Sequence, residues 1–295
     1  MVCNSDFVQY QRINLGDYIQ SGEGGTALAY ASKDGKTLAK LYNPGFEADM
    51  AREEFIAACN VFEMGIPTPK PYRLITDGKR VGAEYELIKD KRSFARIISQ
   101  EPQRLEELSL EFAKMARKLH STKADVTKMK SVKQMLKDFY QQKDIVPEYY
   151  KRRALEFIDS TPDSTNCVHG DLQIGNIISD GKRTLWIDVG GFGYGAPEWD
   201  LAFTFDVTNC LNAGMADHLF HLKPDTLLEH WNIFISAYLG TSDPQRIEEA
   251  VRRINPYVAA RLPYMFFLAY HTRMPDVGAK MLFPSFDGTT HPRYK

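Results

Sequence analysis

The sequence lacks the features that would place the chain in a membrane or in an export pathway. Its most apolar run, Tyr264–Tyr270, is far too short to cross a bilayer. The first residues contain no basic region followed by an apolar core, so we expect no export signal. The four cysteines form no Cys-x-x-Cys pair, and Cys59 and Cys167 lie among apolar residues, which favours buried thiols over metal ligands or disulfides. We therefore expect a cytoplasmic protein.

The sequence also lacks an excess of charge of either sign. Lys and Arg number 37 against 38 Asp and Glu, for a net charge of −1. This balance gives no general attraction to nucleic acid or to an anionic membrane, so neither is an expected partner. A length of 295 residues, 43% of them hydrophobic, fits an ordinary globular protein of two domains. Whether it is a monomer or a homodimer stays open.

The first ninety residues read as a small antiparallel sheet. Asp-Gly-Lys turns at Asp34–Lys36 and Asp77–Lys79 each separate two strand-like runs, which predicts hairpins. One helix, Phe46–Met64, is expected to interrupt about five strands, and Gly65-Ile66-Pro67 ends it. The predicted strands are near Gln11–Gln20, Thr26–Ser32, Thr37–Tyr42, Pro71–Thr76 and Val81–Ile88.

After Lys91 the pattern becomes helical. Apolar residues recur at steps of three and four from Leu105 to Leu119, and further helices are predicted over Ser131–Gln141, Pro147–Asp159, Pro224–Leu239 and Asp243–Tyr270. We therefore predict an α+β protein with an N-terminal domain, residues 1–91, and a C-terminal helical domain, residues 92–295.

Two carboxylates and one amide stand at spacings that suit phosphate chemistry. Asp171 follows His169-Gly170, Asn176 lies five residues later, and Asp188 lies twelve residues after that. Asp171 could accept a proton from a hydroxyl. Asn176 and Asp188 could hold Mg²⁺ against nucleotide phosphates, because magnesium prefers oxygen ligands and usually takes one or two carboxylates. Any one of these residues is typical of an ordinary turn, but their joint spacing between strand-like runs favours phosphoryl transfer.

The register of the hairpin around Asp180–Arg183 decides how two of these residues meet. If its centre falls at Lys182, Asn176 lies directly across from Asp188. A tight Asp-Gly turn would instead shift the register by a few residues. The sequence leaves both alternatives open.

A lysine inside an apolar strand is the next candidate. Lys40 needs either a partner or an exposed face from which it reaches water. Glu54 lies on the otherwise apolar side of the following helix, at helical spacing from Met50 and Ala58. A Lys40–Glu54 ion pair would hold the lysine toward the α- and β-phosphates of a nucleotide.

A glycine-rich segment, Ser21-Gly22-Glu23-Gly24-Gly25-Thr26, joins two predicted strands. Glycines let a backbone approach phosphates, and free amides there can donate to anionic oxygens. Many such turns bind nothing, and Ala27 stands where a stricter Gly-x-Gly-x-x-Gly would end in glycine. Gly22, Gly24, Gly25 and Thr26 are therefore candidate nucleotide contacts.

His169 and Asp200 are better explained as support than as chemistry. A buried aspartate at the start of a helix can accept backbone amides and brace a neighbouring loop. We expect Asp200 to do so, and we expect His169 to be a structural histidine.

In order, these residues resemble the aminoglycoside phosphotransferase and choline kinase group of small-molecule kinases, relatives of the protein-kinase fold. The resemblance runs from about Gly16 to Asp200 and is most specific from His169 onward. Gln173-Ile174 departs from the group's usual His-Pro, and Val189-Gly190-Gly191 departs from the Phe-Gly of protein kinases. His-Gly-Asp in place of His-Arg-Asp removes the arginine through which many protein kinases read phosphorylation of their activation loop.

The resemblance implies a bilobal protein-kinase-like fold, with a small antiparallel sheet lobe and a larger mostly helical lobe. It implies ATP and Mg²⁺ as cofactors, a small-molecule hydroxyl acceptor, Asp171 as the base, and Asn176 and Asp188 as metal ligands. It also implies that Glu86-Leu87-Ile88 is the hinge whose backbone meets adenine. A protein Ser/Thr kinase and a nucleotide-binding pseudokinase scaffold are the alternatives.

The acceptor is less well marked. Tyr257, Arg261, Tyr264, Leu268 and His271 share a face if Pro256–Thr272 is one helix, although Pro263 would break it and aromatic stripes are more often core. No dense acidic cluster for a polycationic antibiotic stands out in residues 201–295. This favours a sugar, an amino alcohol or a related metabolite.

Overall fold

A computed structural model describes residues 9–23, 26–141 and 145–289. The chain divides into two compact units, Met1–Ser93 with Asn176–Gly191, and Phe94–Gly175 with Phe192–Lys295. Compactness alone does not test whether either unit is a domain, so the division into residues 1–91 and 92–295 stays a prediction.

Strands in the described residues are short outside the N-terminal sheet. They are β1 (Gln11–Arg12), β2 (Tyr18–Glu23), β3 (Ala27–Ser32), β4 (Thr37–Tyr42), β5 (Pro71–Thr76), β6 (Val81–Glu86), β7 (Arg92–Ser93), β8 (Lys130–Ser131), β9 (Cys167–Val168), β10 (Ile177–Ser179), β11 (Thr184–Trp186) and β12 (Gly193–Tyr194).

The α-helices of the described residues belong to the second unit, apart from the first of them. They are α1 (Ala48–Glu63), α2 (Phe94–Gln100), α3 (Leu105–Ser121), α4 (Val132–Gln141), α5 (Glu148–Ser160), α6 (Glu198–Asn209), α7 (Ala213–Phe220), α8 (Pro224–Leu239), α9 (Pro244–Tyr270) and α10 (Asp276–Leu282).

The first unit contains a six-stranded sheet in the order β1-β5-β6-β4-β3-β2. Five strands are antiparallel, as predicted, and short β1 adds a parallel edge to β5. The two predicted hairpins are confirmed. Gly35 and Gly78 take positive φ angles of 72° and 93° in their turns, which explains a glycine at both places.

Helix α1 packs its apolar face on this sheet. Phe55 and Cys59 form a core cluster with Leu74 and Ala83 of the central strands. Cys59 is disulfide-bonded, so the expectation of a free thiol there was wrong. A disulfide is compatible with the buried, apolar setting that suggested a thiol, and spacing along the chain could not distinguish the two.

A second small sheet completes the first unit. Antiparallel β10 and β11 form a hairpin, and β7 pairs with the other side of β10. Ile178 and Leu185 pack with Ile88 in one buried cluster. This packing attaches the hairpin, and Asp188 beyond it, to the unit that carries Lys40.

The second unit is built from packed helices. Phe112 of α3 meets Phe234 of α8 edge to face, with ring centroids 4.9 Å apart. Helix α9 continues through both Pro256 and Pro263, so of the two alternatives the uninterrupted helix is correct. A third small sheet has the order β8-β12-β9, and β9 ends three residues before Asp171. The free thiol of Cys167 in β9 is buried, as predicted.

Candidate active site

Lys40 on β4 is held by two carboxylates within the first unit. Its Nζ lies 2.7 Å from Glu54 Oε1 and 2.8 Å from Asp188 Oδ1. Burial acts to lower the pKa of Lys40, but the adjacent Asp188 and Glu54 outweigh it and hold that pKa well above its ordinary value. The lysine is therefore a fixed positive charge.

Glu54 reaches the lysine because α1 lies across the sheet. The neighbouring Phe55 is buried, which fixes the rotation of the helix, while Glu54 keeps 22% of its side chain exposed. The predicted Lys40–Glu54 ion pair is confirmed.

Asp188 follows β11 and has an unusual backbone. Its φ angle of 54° lies in the left-handed region, which only a few per cent of non-glycine residues adopt. Such conformations persist where the surroundings enforce them and are concentrated at functional sites. Half of its side chain is exposed, so oxygen remains accessible beside the lysine.

The hairpin register places Asn176 opposite Ile187. Ile177 pairs with Trp186, and the Ile187 amide donates to the Asn176 carbonyl at 3.0 Å. The turn is therefore tight, and Asp188 lies one residue beyond the position across from Asn176. The register is thus shifted by one residue, between the direct Asn176–Asp188 pairing and the shift of a few residues that the sequence left open.

Asn176 and Asp188 fit a magnesium site of the kind used in phosphoryl transfer. Asn176 is buried, with 4% of its surface exposed, and both side chains offer hard oxygen donors. Residues 9–23, 26–141 and 145–289 contain no group of three or more His, Cys, Asp or Glu that could form a protein cage for a metal. Mg²⁺ suits a pair of one carboxylate and one amide, because it usually keeps several waters and binds substrate phosphates.

The glycine-rich segment is only partly described. Gly22 belongs to β2, next to a bulge at Ser21, so the strand runs further than predicted. Thr26 is exposed, and its carbonyl accepts a hydrogen bond from the Asn43 amide at 2.9 Å. Gly24 and Gly25 lie outside the described residues.

The predicted hinge begins at the end of β6. Glu86 Oε1 lies 2.9 Å from Arg183 Nη1, and its amide donates to the Lys70 carbonyl at 2.8 Å. Ile88 is buried in the cluster with Ile178 and Leu185. The side chains thus serve packing and an ion pair, and a role of this backbone in binding adenine stays a prediction.

The loop that carries Asp171 is braced within the second unit. The amides of His169 and Gly170 donate to the Asp200 carboxylate at 2.6 and 2.9 Å, and His120 Nε2 lies 3.0 Å from Asp200. Burial acts to raise the pKa of Asp200, but the hydrogen bond from His120 and neighbouring positive charge lower it overall. The predicted bracing by Asp200 is confirmed.

Asp171 follows this braced turn directly. Its amide donates to His169 Nδ1 at 3.3 Å, which requires that nitrogen to be the unprotonated one. His169 is fully buried, as expected of a structural histidine. Asp171 belongs to the second unit, whereas Lys40, Asn176 and Asp188 belong to the first.

Comparison with family models identifies the chain. The model of the phosphotransferase enzyme family, APH, matches residues 19–231, well over half of the sequence. The chain belongs to this family. Comparison with curated proteins finds no match.

Solved structures share the fold of this phosphotransferase at low identity. A choline/ethanolamine kinase family protein from Mesorhizobium loti has a TM-score of 0.57 at 16% identity, over 92% of this chain and 90% of that one. An ethanolamine kinase from Plasmodium vivax has a TM-score of 0.55 at 17% identity, over 92% and 80%. A thermostable mutant of aminoglycoside phosphotransferase APH(4)-Ia, in ternary complex with ADP and hygromycin B, has a TM-score of 0.59 at 12% identity, over 92% of each chain. The predicted α+β, protein-kinase-like fold is confirmed. No helix among the described residues of this phosphotransferase has the length and apolarity to span a membrane.

The phosphotransferase has one charged residue near Asp188 that the sequence did not single out. Burial lowers the pKa of Lys91, and Asp188 acts against this effect. The residue before it, Asp90, has a φ angle of 55°. Lys91 lies three residues before α2, and the sequence carries no signal for its position because the turn at Asp90 depends on the folded backbone.

Proposed function

We propose that the chain transfers the γ-phosphate of ATP to a hydroxyl group of a small molecule. The observation that carries the proposal is Lys40 held between Glu54 and Asp188. Phosphoryl transfer demands positioned phosphates and concentrated positive charge more than covalent chemistry from the protein. Lys40 would contact the α- and β-phosphates, with the glycine-rich segment over them. The ADP bound in a solved structure of the same fold supports a nucleotide as the phosphate donor.

Magnesium is the proposed second source of positive charge. Asn176 and Asp188 would hold it, and it would neutralise the charge on the phosphate oxygens. Asp188 would then serve both cations, since one of its oxygens is engaged by Lys40 and a carboxylate has two.

Asp171 is the proposed catalytic base. The acceptor oxygen forms a bond to the γ-phosphorus, the bond from that phosphorus to the bridging oxygen of ADP breaks, and the hydroxyl proton passes to the Asp171 carboxylate. Asp200 supports this role because it fixes the two amides that precede Asp171.

A cavity in the second unit is the proposed place of the acceptor. Its volume is about 970 Å³, within the size range of small-molecule sites. Tyr264 and Leu268 of the predicted α9 stripe line it, whereas Tyr257 and Arg261 are buried and His271 is the exposed C-cap of the helix.

The charge of this cavity favours a nearly neutral acceptor. Three lysines face three aspartates around it: Lys130, Lys133, Lys137, Asp138, Asp159 and Asp163. Lys133 pairs with Asp163 at 3.1 Å and Lys137 with Asp159 at 2.6 Å. A polycationic aminoglycoside would need an excess of acid that this lining does not have. We therefore propose a sugar, an amino alcohol or a related metabolite.

The first experiment is a thermal-shift screen of hydroxyl compounds with Mg²⁺ and an ATP analogue. Acceptors should raise the melting temperature further when nucleotide is present. Steady-state assays on those compounds, with peptide libraries in parallel, distinguish a small-molecule kinase from a protein kinase. Binding of nucleotide without turnover on any acceptor would favour the pseudokinase alternative.

Asp171→Asn tests the base. We expect kcat to fall by about 10²- to 10⁴-fold, with the Kd for ATP unchanged, because the carboxylate acts mainly in the transition state. Asp217→Asn, at an exposed residue of α7, is the matched control. Near-normal turnover of Asp171→Asn would show that the base is misassigned.

A further inference from the structure

Arg261 is a buried cation with an unusual set of partners. Only 3% of its surface is exposed, and it makes no direct ion pair with any carboxylate in the described part of the chain. Its Nη1 donates to the Trp199 carbonyl at 3.4 Å, its guanidinium lies 5.3 Å from the Phe203 ring centroid, and its Nε has no protein partner there. Burying a charge with so few polar partners costs free energy. The one further hydrogen bond of Arg261 therefore indicates what the residue does.

That contact is with the loop that carries Asp171. Arg261 Nη2 donates to the carbonyl of Gly170, the residue directly before Asp171. The same peptide unit is held at its other end, because the Asp171 amide donates to His169 Nδ1 at 3.3 Å. Both polar groups of the peptide that joins Gly170 to Asp171 are therefore fixed by side chains.

The backbone at Gly170 explains why it needs this support. Its φ angle is 80°, a conformation that glycine adopts easily but does not hold by itself. The Gly170 amide donates to Asp200 at 2.9 Å, so Asp200 fixes the peptide before Gly170 and Arg261 fixes the one after it. A loop of the His-Arg-Asp type has an arginine at the Gly170 position, and here a guanidinium arrives instead from α9.

The charge of Arg261 also suits this position. Burial lowers the pKa of Arg261, while Asp200, Asp171 and Asp206 act to raise it. The nearby carboxylates thus include the proposed base and the aspartate that braces its loop. Their combined field offsets part of the cost of burying the guanidinium.

We propose that Arg261 is a positioning residue of the phosphotransfer reaction. It fixes the Gly170–Asp171 peptide by its hydrogen bond to the Gly170 carbonyl, and so sets the direction of the Asp171 carboxylate. The proposal rests on the proposed function of Asp171. Arg261 is buried and does not line the proposed acceptor cavity.

Arg261→Met removes the hydrogen bond and the charge, and Arg261→Lys keeps a cationic donor. We expect Arg261→Met to lower kcat by about 10- to 100-fold, because small misplacements of a catalytic group cost about that much. The KM and Kd for ATP should change less than twofold. Arg261→Lys should regain at least half of the loss on a logarithmic scale. Arg253→Met, at an exposed arginine of the same helix, should behave as wild type.

Hydrogen exchange of the Asp171 amide tests the positioning without any acceptor. Exchange should be at least tenfold faster in Arg261→Met than in wild type, and close to wild type in Arg261→Lys. If Arg261→Met does not fold, Arg261→Gln replaces it, with the same expected directions. Unchanged exchange and kcat would overturn the proposal, and so would a loss of kcat that Lys does not reduce. If the wild type phosphorylates no acceptor, the proposed function fails, while the exchange result still decides whether Arg261 holds the peptide.

Discussion

At the scale of single residues, the site depends on one lysine shared by two acids. Lys40 Nζ contacts Glu54 and Asp188 at nearly equal distances, 2.7 and 2.8 Å. One contact comes from a neighbouring helix and the other from a residue 148 positions away. The positive charge of Lys40 is therefore in place before a phosphate binds, and its side chain does not have to become ordered on binding.

Lys40→Met tests this arrangement. The variant should lower kcat/KM for ATP by about 10²- to 10³-fold, as expected for the loss of a preorganised electrostatic contact, and should weaken nucleotide binding. Lys36→Met is the control, because Lys36 is 79% exposed in the same hairpin. Nucleotide titrations and steady-state assays measure both effects. Unaltered ATP affinity and turnover in Lys40→Met would remove the lysine from the site.

The two contacts of Lys40 differ in how far the sequence predicts them. The contact with Glu54 could be predicted, because helical periodicity places this residue on the side of α1 that faces the sheet. The contact with Asp188 could not be predicted. Its position depends on a hairpin register and on a φ angle of 54°, and no local sequence pattern encodes either. Lys91 was missed for a similar reason at Asp90.

At the scale of elements, helix α1 approaches the turn after Asp188 very closely. A Cβ built on Gly190 would lie 2.5 Å from Glu54 Cγ and 2.9 Å from Glu54 Cδ. Glycine at position 190 thus leaves room for the Glu54 side chain that holds Lys40.

Gly190→Ala should therefore reduce function more than stability. Glu54 is flexible and can move away, so the free energy of unfolding should fall by less than the roughly 1–3 kcal/mol of rigid overpacking. Its displacement frees Lys40, and kcat/KM should fall about 10- to 100-fold. Gly278→Ala, whose Cβ would lie 3.5 Å from the nearest atom, is the control for an added methyl group. Wild-type kinetics in Gly190→Ala would show that the close approach of Gly190 to Glu54 is not needed to hold Lys40 in place.

Periodicity predicted six of the ten α-helices of the described residues and missed α2, α6, α7 and α10. The observed helix Ala48–Glu63 lies inside the predicted Phe46–Met64, and Pro224–Leu239 was predicted at both ends. Helix α6 was not predicted, because ten of its twelve residues are buried and a helix buried on every side has no amphipathic pattern. Hydrophobic periodicity therefore could not predict the helix that places Asp200.

At the scale of the whole molecule, the path of the chain is harder to predict than its elements. The segment Asn176–Gly191 packs with the first unit, although it follows more than eighty residues of the second. Its apolar residues, such as Ile178 and Leu185, marked a hairpin but could not indicate that Ile88 covers them. Tertiary packing, which sequence spacing does not report, thus assigns Asp188 to the unit of Lys40.

Global stability should depend on pH through a histidine in the core of the second unit. His230 is fully buried, its Nδ1 lies 2.8 Å from Ser109 Oγ, and its Nε2 has no partner in the described part of the chain. Burial lowers the pKa of His230 to about 3. The folded protein holds this ring neutral, whereas the unfolded chain binds a proton below its ordinary value of about 6.5. The contribution of neutral His230 to the free energy of unfolding is therefore complete above pH 6.5 and is lost as the pH falls from 6.5 toward 3.

His230→Gln isolates this effect, because glutamine does not titrate. A pH of 5 lies about 1.5 units below the pKa of histidine in the unfolded chain. Between pH 7.5 and pH 5 the free energy of unfolding should therefore fall by about 2 kcal/mol more in wild type than in the variant. Urea unfolding at the two pH values measures the difference, and His218→Gln, at an exposed histidine of α7, should keep the wild-type dependence. Equal losses of unfolding free energy in wild type and His230→Gln would mean that the buried ring can be protonated without unfolding. Water would then have to enter the packing around Ser109.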